Sequence, residues 1–316
     1  MTPGRITQES MVRAVGLTRR FGTLTAVEDL SFDVARGELF GLVGPDGAGK
    51  TTVLRMLAGV VRPTGGDALM NGLSVARDPE AVKPHLAYMS QRFGLYADLT
   101  VRENLDFYAD LFEVPATVRG PRLERLYAFS NLGEFENRLA GNLSGGMKQK
   151  LGLSCALIHQ PEILLLDEPT FGVDPISRRD LWVIVHEMVS EGVTVVVSTA
   201  YMDEAERFDR LALLHKGRVL AIDAPQALQA RVDGEMISIE VVQVRAAERL
   251  LAEHPLVLRV ALFGDRLHVK VRSADEAMAP LRLFLTDAGY EVGGVSPMVP
   301  SLEDVFIDRI ATAEAA

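Results

Sequence analysis

Residues 38–52 read ELFGLVGPDGAGKTT. The apolar run Leu39-Phe40-Gly41-Leu42-Val43 passes directly into a glycine-rich turn. That turn opens a helical pattern carried by Thr52, Val53, Leu54, Leu57 and Val60. Gly44-Pro45-Asp46-Gly47-Ala48-Gly49-Lys50-Thr51 matches G-x-x-x-x-G-K-[ST], in the strand-then-helix setting this pattern requires. Its chemistry is anion binding. Glycines let backbone N–H groups turn inward around phosphate oxygens, and the helix start adds a partial positive charge. Lys50 is placed to reach β- and γ-phosphates, and the Thr51 hydroxyl to ligate Mg²⁺. Gly44, Asp46, Gly47, Gly49 and Thr52 complete the expected nucleotide cradle.

Two more apolar runs, EILLLDEP (162–169) and GVTVVVSTA (192–200), share the texture of the first. Unbroken stretches of Leu and β-branched residues suit parallel strands covered on both faces. Helical patterns lie between them, so the chain reads as α/β, with function at the carboxyl ends of the strands. Asp167 and Glu168 end the second run. Beside phosphates, Asp167 suits holding Mg²⁺, and Glu168 suits accepting a proton from an attacking water.

Residues 95–160 read as a helical insert. Thr100-Val101-Arg102-Glu103 is a capping box, followed by a stripe of Val101, Leu105, Tyr108 and Phe112; a second helix is expected over Arg122–Phe129. Leu143-Ser144-Gly145-Gly146-Met147 precedes another helical run, with Ser144 as N-cap and two bare glycines behind it. That is a second helix start built to face an anion. A single nucleotide has no evident need for two such ends from one chain, which points to a second copy of the chain.

Beyond about Pro225 the texture changes. MISIEVVQV, LVLRVALFG and RLHVKVRS read as strands, AAERLLAEH and ADEAMAPLRLFLTDAG as helices. The order β-α-β-β-α-β predicts a small ferredoxin-like unit from Met236 to about Ser296. The expected division is a first domain over residues 1–235 and an accessory domain over 236–316.

With these motifs in this order, the chain resembles the nucleotide-binding subunits of ABC transporters, a P-loop ATPase family with an LSGGQ-like signature. The resemblance covers about residues 10–235. It implies ATP and Mg²⁺ as cofactors, and a head-to-tail pair in which each ATP lies between one P-loop and the partner's signature. It further implies that Phe21 stacks on adenine, that Gln91 senses Mg²⁺ and contacts the membrane subunit, and that Asp174 crosses the interface. SLEDVFIDRI (301–310) is similar to the tail of ATPase subunits that drive ABC-2-type exporters, drug- and antibiotic-resistance members included. The whole chain is most similar to the N-terminal half of tandem-ATPase multidrug exporter subunits; GPDGAGKTT, with Asp46 where most relatives carry Asn, and DPISRRDLW support that placement. Implied partners are an ABC-2-type membrane permease and a second ATPase subunit, at the cytoplasmic face of the cell membrane.

One position departs from the family. Where it usually carries a histidine that contacts the γ-phosphate and orients the attacking water, this chain has Ala200. An alanine side chain neither donates nor accepts. Two mechanisms are then open: an asymmetric pair in which this subunit's own site is slow, or a homodimer in which Glu168 and Gln91 act alone. A poorly hydrolysing regulatory subunit, and a non-transport ATPase acting on the ribosome or DNA, are the alternatives. The net charge of −10 argues against nucleic acid. The lone Cys155 fits a reducing compartment. Residues 1–17 lack a secretory pattern, and no apolar run approaches the ~20 residues that span a bilayer.

Overall fold

The computed structural model describes residues 10–91 and 94–315, so the amino-terminal stretch 1–9, Arg92 and Phe93 of the loop after Gln91, and Ala316 lie outside the described residues. The chain forms two compact units, Met1–Ile222 and Asp223–Ala316. The division falls ahead of residue 235, because the short helix at 225–229 packs on the carboxyl-terminal helix of the second unit.

In the first unit, β1 (Ser10–Phe21) and β2 (Leu24–Ala35) make a long antiparallel hairpin, and β3 (Leu39–Val43) follows and leads through the glycine-rich turn into α1 (Lys50–Leu57). Then come β4 (Gly65–Met70), β5 (Leu73–Ser74), α2 (Pro79–Val82) and β6 (Leu86–Met89). The helical insert comprises α3 (Val101–Leu111), α4 (Ala116–Ser130) and α5 (Gly145–Leu157). β7 (Ile163–Asp167), α6 (Pro175–Ser190), β8 (Thr194–Thr199), α7 (Met202–Ala205), β9 (Arg210–His215) and β10 (Arg218–Asp223) complete it.

Two sheets result, ordered β2-β1-β4-β5 and β10-β9-β3-β8-β7-β6. In the larger one, the pairs β6–β7, β7–β8, β8–β3 and β3–β9 are all parallel. The three apolar runs are therefore neighbours that end at one edge, with Val43 opposite Thr199 and Asp167 opposite Ser198. Helix α1 lies between the sheets: Val53, Leu54, Met56 and Leu57 are fully buried among Phe32, Met70, Leu42 and Val196. Each such side chain contributes roughly 1.5–3 kcal/mol on leaving water. The antiparallel sheet has no counterpart in the expectations from sequence. Register shifts around Gly16 interrupt the alternation by which such strands are read.

Helix α4 begins at Ala116, six residues before the expected start at Arg122, and passes through Pro121. Proline removes one donor near the helix start, and the helix continues because Leu123 and Leu126 are buried beneath it. The Thr100 capping box forms as expected: Glu103 accepts from Thr100 N (2.8 Å) and Oγ1 (2.9 Å), while Thr100 Oγ1 accepts from Glu103 N (3.1 Å). Among the described residues no helix is long and apolar enough to cross a membrane.

The second unit contains α8 (Pro225–Gln229), β11 (Glu235–Val241), α9 (Val244–Ala252), β12 (Val257–Phe263), β13 (Arg266–Val271), α10 (Ala274–Asp287), β14 (Val292–Met298) and α11 (Leu302–Ala315). Its antiparallel sheet runs β12-β13-β11-β14, the ferredoxin-like order expected from the β-α-β-β-α-β pattern. Alternation divides the two faces. Leu267, Val269 and Val271 pack with α9 and α10, whereas His268 and Lys270 face α11, pairing with Asp304 (3.0 Å) and Asp308 (2.6 Å).

A Cβ at Gly41 in β3 would lie 2.1 Å from the Phe208 ring. Gly41→Ala should therefore cost about 1–3 kcal/mol, read from the urea midpoint of the first unit. The hydrogen bonds from Thr100 hold Glu103 below its ordinary value of 4.5. Its cap is thus fully present above pH 4.5 and is lost as pH falls through the lower folded value. Glu103→Gln, which keeps the capping geometry without the titration, should flatten the fall in thermal stability below pH 4.5; identical pH profiles would contradict this.

Candidate functional site

The glycine-rich loop leaves β3 beside the end of β8, where Gly44 N–H donates to the Thr199 carbonyl at 3.3 Å. Gly49 caps α1 with φ of 104°, and a Cβ there would lie 2.6 Å from the Ala26 carbonyl oxygen. Both the backbone conformation and the space demand glycine. Lys50 is 4% exposed, and its ammonium donates to the carbonyls of Gly44 (2.7 Å) and Pro45 (3.1 Å). It also stands 3.2 Å from Glu168 Oε1.

Asp167, at the end of β7, is 1% exposed. A carboxylate this deep must be met by donors. Thr51 Oγ1 (2.9 Å) and Ser198 Oγ (2.7 Å) donate to Oδ1, and the Tyr88 hydroxyl donates to Oδ2 (3.2 Å). Burial, then the charge of Asp167, pushes the Tyr88 phenol up to about 12, so it remains an O–H donor. The Thr51 hydroxyl and the Asp167 carboxylate form an oxygen-only donor pair, and among the described residues no cluster of three or more His, Cys, Asp or Glu offers a rival metal site. That chemistry suits a hard cation that keeps water and phosphate oxygens as its remaining ligands.

Glu168 takes a left-handed backbone conformation (φ 48°), uncommon for any residue but glycine. Its N–H donates to Ser198 Oγ (3.0 Å) and Ser198 O (3.1 Å), and this anchoring supports the strained turn. The side chain points to Lys50 and accepts from Gln91 Nε2 at 3.0 Å. The acid is thus held between a buried cation and an amide donor.

These residues surround a cleft of about 710 Å³, lined by Phe21, Asp46, Gly47, Gly49, Lys50, Thr51, Thr52, Gln91 and Glu168. Phe21 is 45% exposed, and the Arg19 guanidinium lies 4.4 Å from its ring centroid. The structure adds Leu24, Thr25, Ala26, Phe171, Lys216 and Gly217 to the wall.

Ser144, Gly145, Gly146 and Asp174 do not line this cleft. They gather instead where α5 and α6 begin. Ser144 Oγ accepts from Met147 N at 3.3 Å. Gly146 packs so closely on α6 that a Cβ would lie 2.1 Å from Ser177 Oγ and 3.4 Å from Asp174 Oδ2. Asp174 caps α6, accepting from Ser177 N (3.0 Å) and Ile176 N (3.1 Å). The Ser177 bonds, foremost, hold its carboxyl below the usual value.

Ala200 follows the last residue of β8 at the same sheet edge. His85 and His159 lie at the amino end of β6, where His85 meets Glu162 (2.9 Å) and His159 meets the Leu86 carbonyl (3.2 Å). Neither is at the edge where Ala200 stands. Close to Ala200 in the chain is a group the sequence reading missed, the buried Glu204 (1% exposed). It accepts from Thr170 Oγ1 and Thr199 Oγ1, each at 2.7 Å, and from Trp182 Nε1 at 3.3 Å. MDEAE looks like any acidic helix start, and no local pattern marks Glu204 as buried. Ser198 and Tyr88 were missed likewise; the only available signal was a hydroxyl one residue before the end of an apolar strand.

Comparison with known proteins agrees with this geometry. Residues 27–171 match the family described as ABC transporter. Residues 224–310 match the C-terminal domain described as that of DrrA1-3-like ATP-binding proteins. The chain is 42% identical over 308 residues to the probable multidrug ABC transporter ATP-binding protein YbhF of Escherichia coli, covering 96% of this chain but only 53% of that protein. It is 36% identical over 313 residues to the daunorubicin resistance ATP-binding protein DrrA2 of Streptomyces coeruleorubidus, covering 94% of each. To the Nod factor export ATP-binding protein I of Rhizobium leguminosarum bv. viciae it is 34% identical over 296 residues, covering 92% of each. Among solved structures, an ATP-binding subunit of an ABC transporter superposes with a TM-score of 0.65 at 30% identity, covering 70% of this chain and 93% of that one. A dimeric ATP-binding cassette with ADP and Pi, at 24% identity and covering 68% of this chain and 98% of that one, shares the fold with a TM-score of 0.62. The chain belongs to the ATP-binding proteins of ABC transporters.

Proposed function

We propose that the chain binds and hydrolyses ATP as the cytoplasmic-face ATPase of an exporter, working with a separate ABC-2-type membrane permease and with a second ATPase subunit or domain. The observation that carries this reading is the split of the site. Lys50, Thr51, Asp167, Glu168 and Gln91 stand around one cleft, while Ser144, Gly145 and Gly146 form a second anion-ready helix start elsewhere on the surface. Only a partner chain brings a signature to this cleft, and this chain's signature to another. The names of the multidrug, daunorubicin-resistance and Nod-factor-export relatives support export.

In this mechanism the loop N–H groups and Lys50 hold the β- and γ-phosphates, which exchange for the Gly44 and Pro45 carbonyls that Lys50 meets now. Thr51 and Asp167, with Gln91 beside them, would hold Mg²⁺, whose charge would offset that of the phosphates. Glu168 accepts a proton from the water that attacks the γ-phosphorus, the bond to the β-γ bridging oxygen breaks, and ADP and phosphate result. Phe21 stacks on the adenine. Phosphates between the P-loop and the partner's signature close the pair, and hydrolysis reopens it. The Gln91 loop and the helical insert pass that motion to the permease.

Ala200 makes the pair unequal. Without a group to orient the water at this position, this subunit's own site is slow, by ~10²–10³ on the scale of comparable donors. Its intact signature completes a faster site on the partner. The purified protein should accordingly bind ATP yet turn it over no faster than Glu168→Gln, while Ala200→His raises the rate. Wild-type turnover well above Glu168→Gln, rising steeply with protein concentration, would establish working homodimers instead; absence of ATP binding would overturn the ATPase reading altogether. Gly146→Ala, which pushes the signature off Ser177, should leave ATP binding at the P-loop unchanged and lower hydrolysis by the assembled pair at least ten-fold, roughly the loss of one transition-state donor.

A further inference from the structure

Tyr88 lies three residues before Gln91, and each reaches one member of the acid pair at the end of β7. The Tyr88 hydroxyl donates to Asp167 Oδ2 at 3.2 Å, and Gln91 Nε2 donates to Glu168 Oε2 at 3.0 Å. Strand pairing fixes where Tyr88 stands: it lies opposite Leu165 in the parallel β6–β7 register. Its ring packs on the apolar core that also buries α1. The hydroxyl is therefore held from the strand and the core.

The carboxylate it meets has two unequal oxygens. Oδ1 accepts from Thr51 Oγ1 and Ser198 Oγ, at 2.9 and 2.7 Å. Oδ2 accepts from Tyr88. Two donors on Oδ1 already limit rotation of the group, and Tyr88 meets the other oxygen, which this deep in the protein is costly to leave without a donor. Groups that orient a metal-binding carboxylate from behind typically change metal affinity 10–100-fold when removed.

We propose that Tyr88 is a positioning residue for the cation site: its hydroxyl holds Oδ2 of the Asp167 carboxylate in place, so that the segment carrying Gln91 governs both acids. The proposal rests on the reading of Thr51 and Asp167 as the cation's ligands. Tyr88 touches neither nucleotide nor cation in this role. It acts through Asp167, and its removal should move cation dependence while sparing nucleotide affinity measured without cation.

The test uses Tyr88→Phe in the full-length chain, which keeps the ring in the core and removes only the hydroxyl. ATP binding is measured by calorimetry in EDTA and across a Mg²⁺ titration, with thermal unfolding alongside. The expected result is unchanged affinity in EDTA, with a Mg²⁺ concentration for half-maximal enhancement raised about ten-fold. An unmoved Mg²⁺ midpoint in a folded variant overturns the positioning role and leaves the cation-site reading standing. An equal loss of affinity with and without Mg²⁺ also overturns it, since packing alone then accounts for Tyr88. If wild type binds ATP equally well in EDTA and in Mg²⁺, it is the assignment of Thr51 and Asp167 that falls. Ser198→Ala, which removes a donor from Oδ1, serves as the comparison variant and should shift the same midpoint in the same direction.

Discussion

The structure of the first unit turns on one buried charge. Asp167 ends a strand whose other members, Ile163, Leu164, Leu165 and Leu166, are fully buried, and it is itself almost without solvent contact. An ionised carboxylate in such a place is tolerable only with its lone pairs occupied. Its donors come from three different elements: Thr51 from α1, Ser198 from β8 and Tyr88 from β6. Satisfying this one group therefore aligns the helix that carries Lys50 with the strands on both sides of β7. The same Ser198 hydroxyl also takes the Glu168 N–H, so the strained turn at Glu168 depends on it too.

Around that anchor, parallel pairing does the rest. Because β3, β7 and β8 run in one direction in fixed register, the phosphate loop, the acid pair and residue 200 emerge at a single edge. Helix α1 is buried between two sheets, and its amino end lines the cleft, so the apolar packing that stabilises the unit also aims Lys50 and Thr51. The signature helix α5 is aimed by a different contact, the missing side chain of Gly146 against Ser177. The two helix starts are thus each fixed by a close approach of their own, one at Gly49 and one at Gly146.

The second unit follows a different economy. Its sheet buries one face in aliphatic packing under α9 and α10, while the other meets α11 through the pairs His268–Asp304 and Lys270–Asp308. The period-2 alternation of RLHVKV encodes both faces at once.

What the sequence determined by itself was whatever depends on neighbours along the chain. The phosphate loop, the Asp167–Glu168 pair, the caps at Thr100 and Ser144 and the ferredoxin-like order are local patterns whose physics is complete within a few residues. Ala200 stood out for the same reason, as one residue against a local motif. The antiparallel hairpin of β1 and β2 was not legible, because irregular register destroys the alternation that betrays a strand. The start of α4 was hidden by Pro121, whose breaking tendency lost to the burial of Leu123 and Leu126. Only the tertiary structure decided that Tyr88 and Ser198 hold Asp167, that Ser177 receives Gly146, and that Glu204 is buried beneath Thr170, Thr199 and Trp182. Each of these is a polar or close contact whose partners, with the exception of Thr199, are separated by tens of residues. Burial makes such a contact obligatory, and burial is a property of the fold rather than of any stretch of chain.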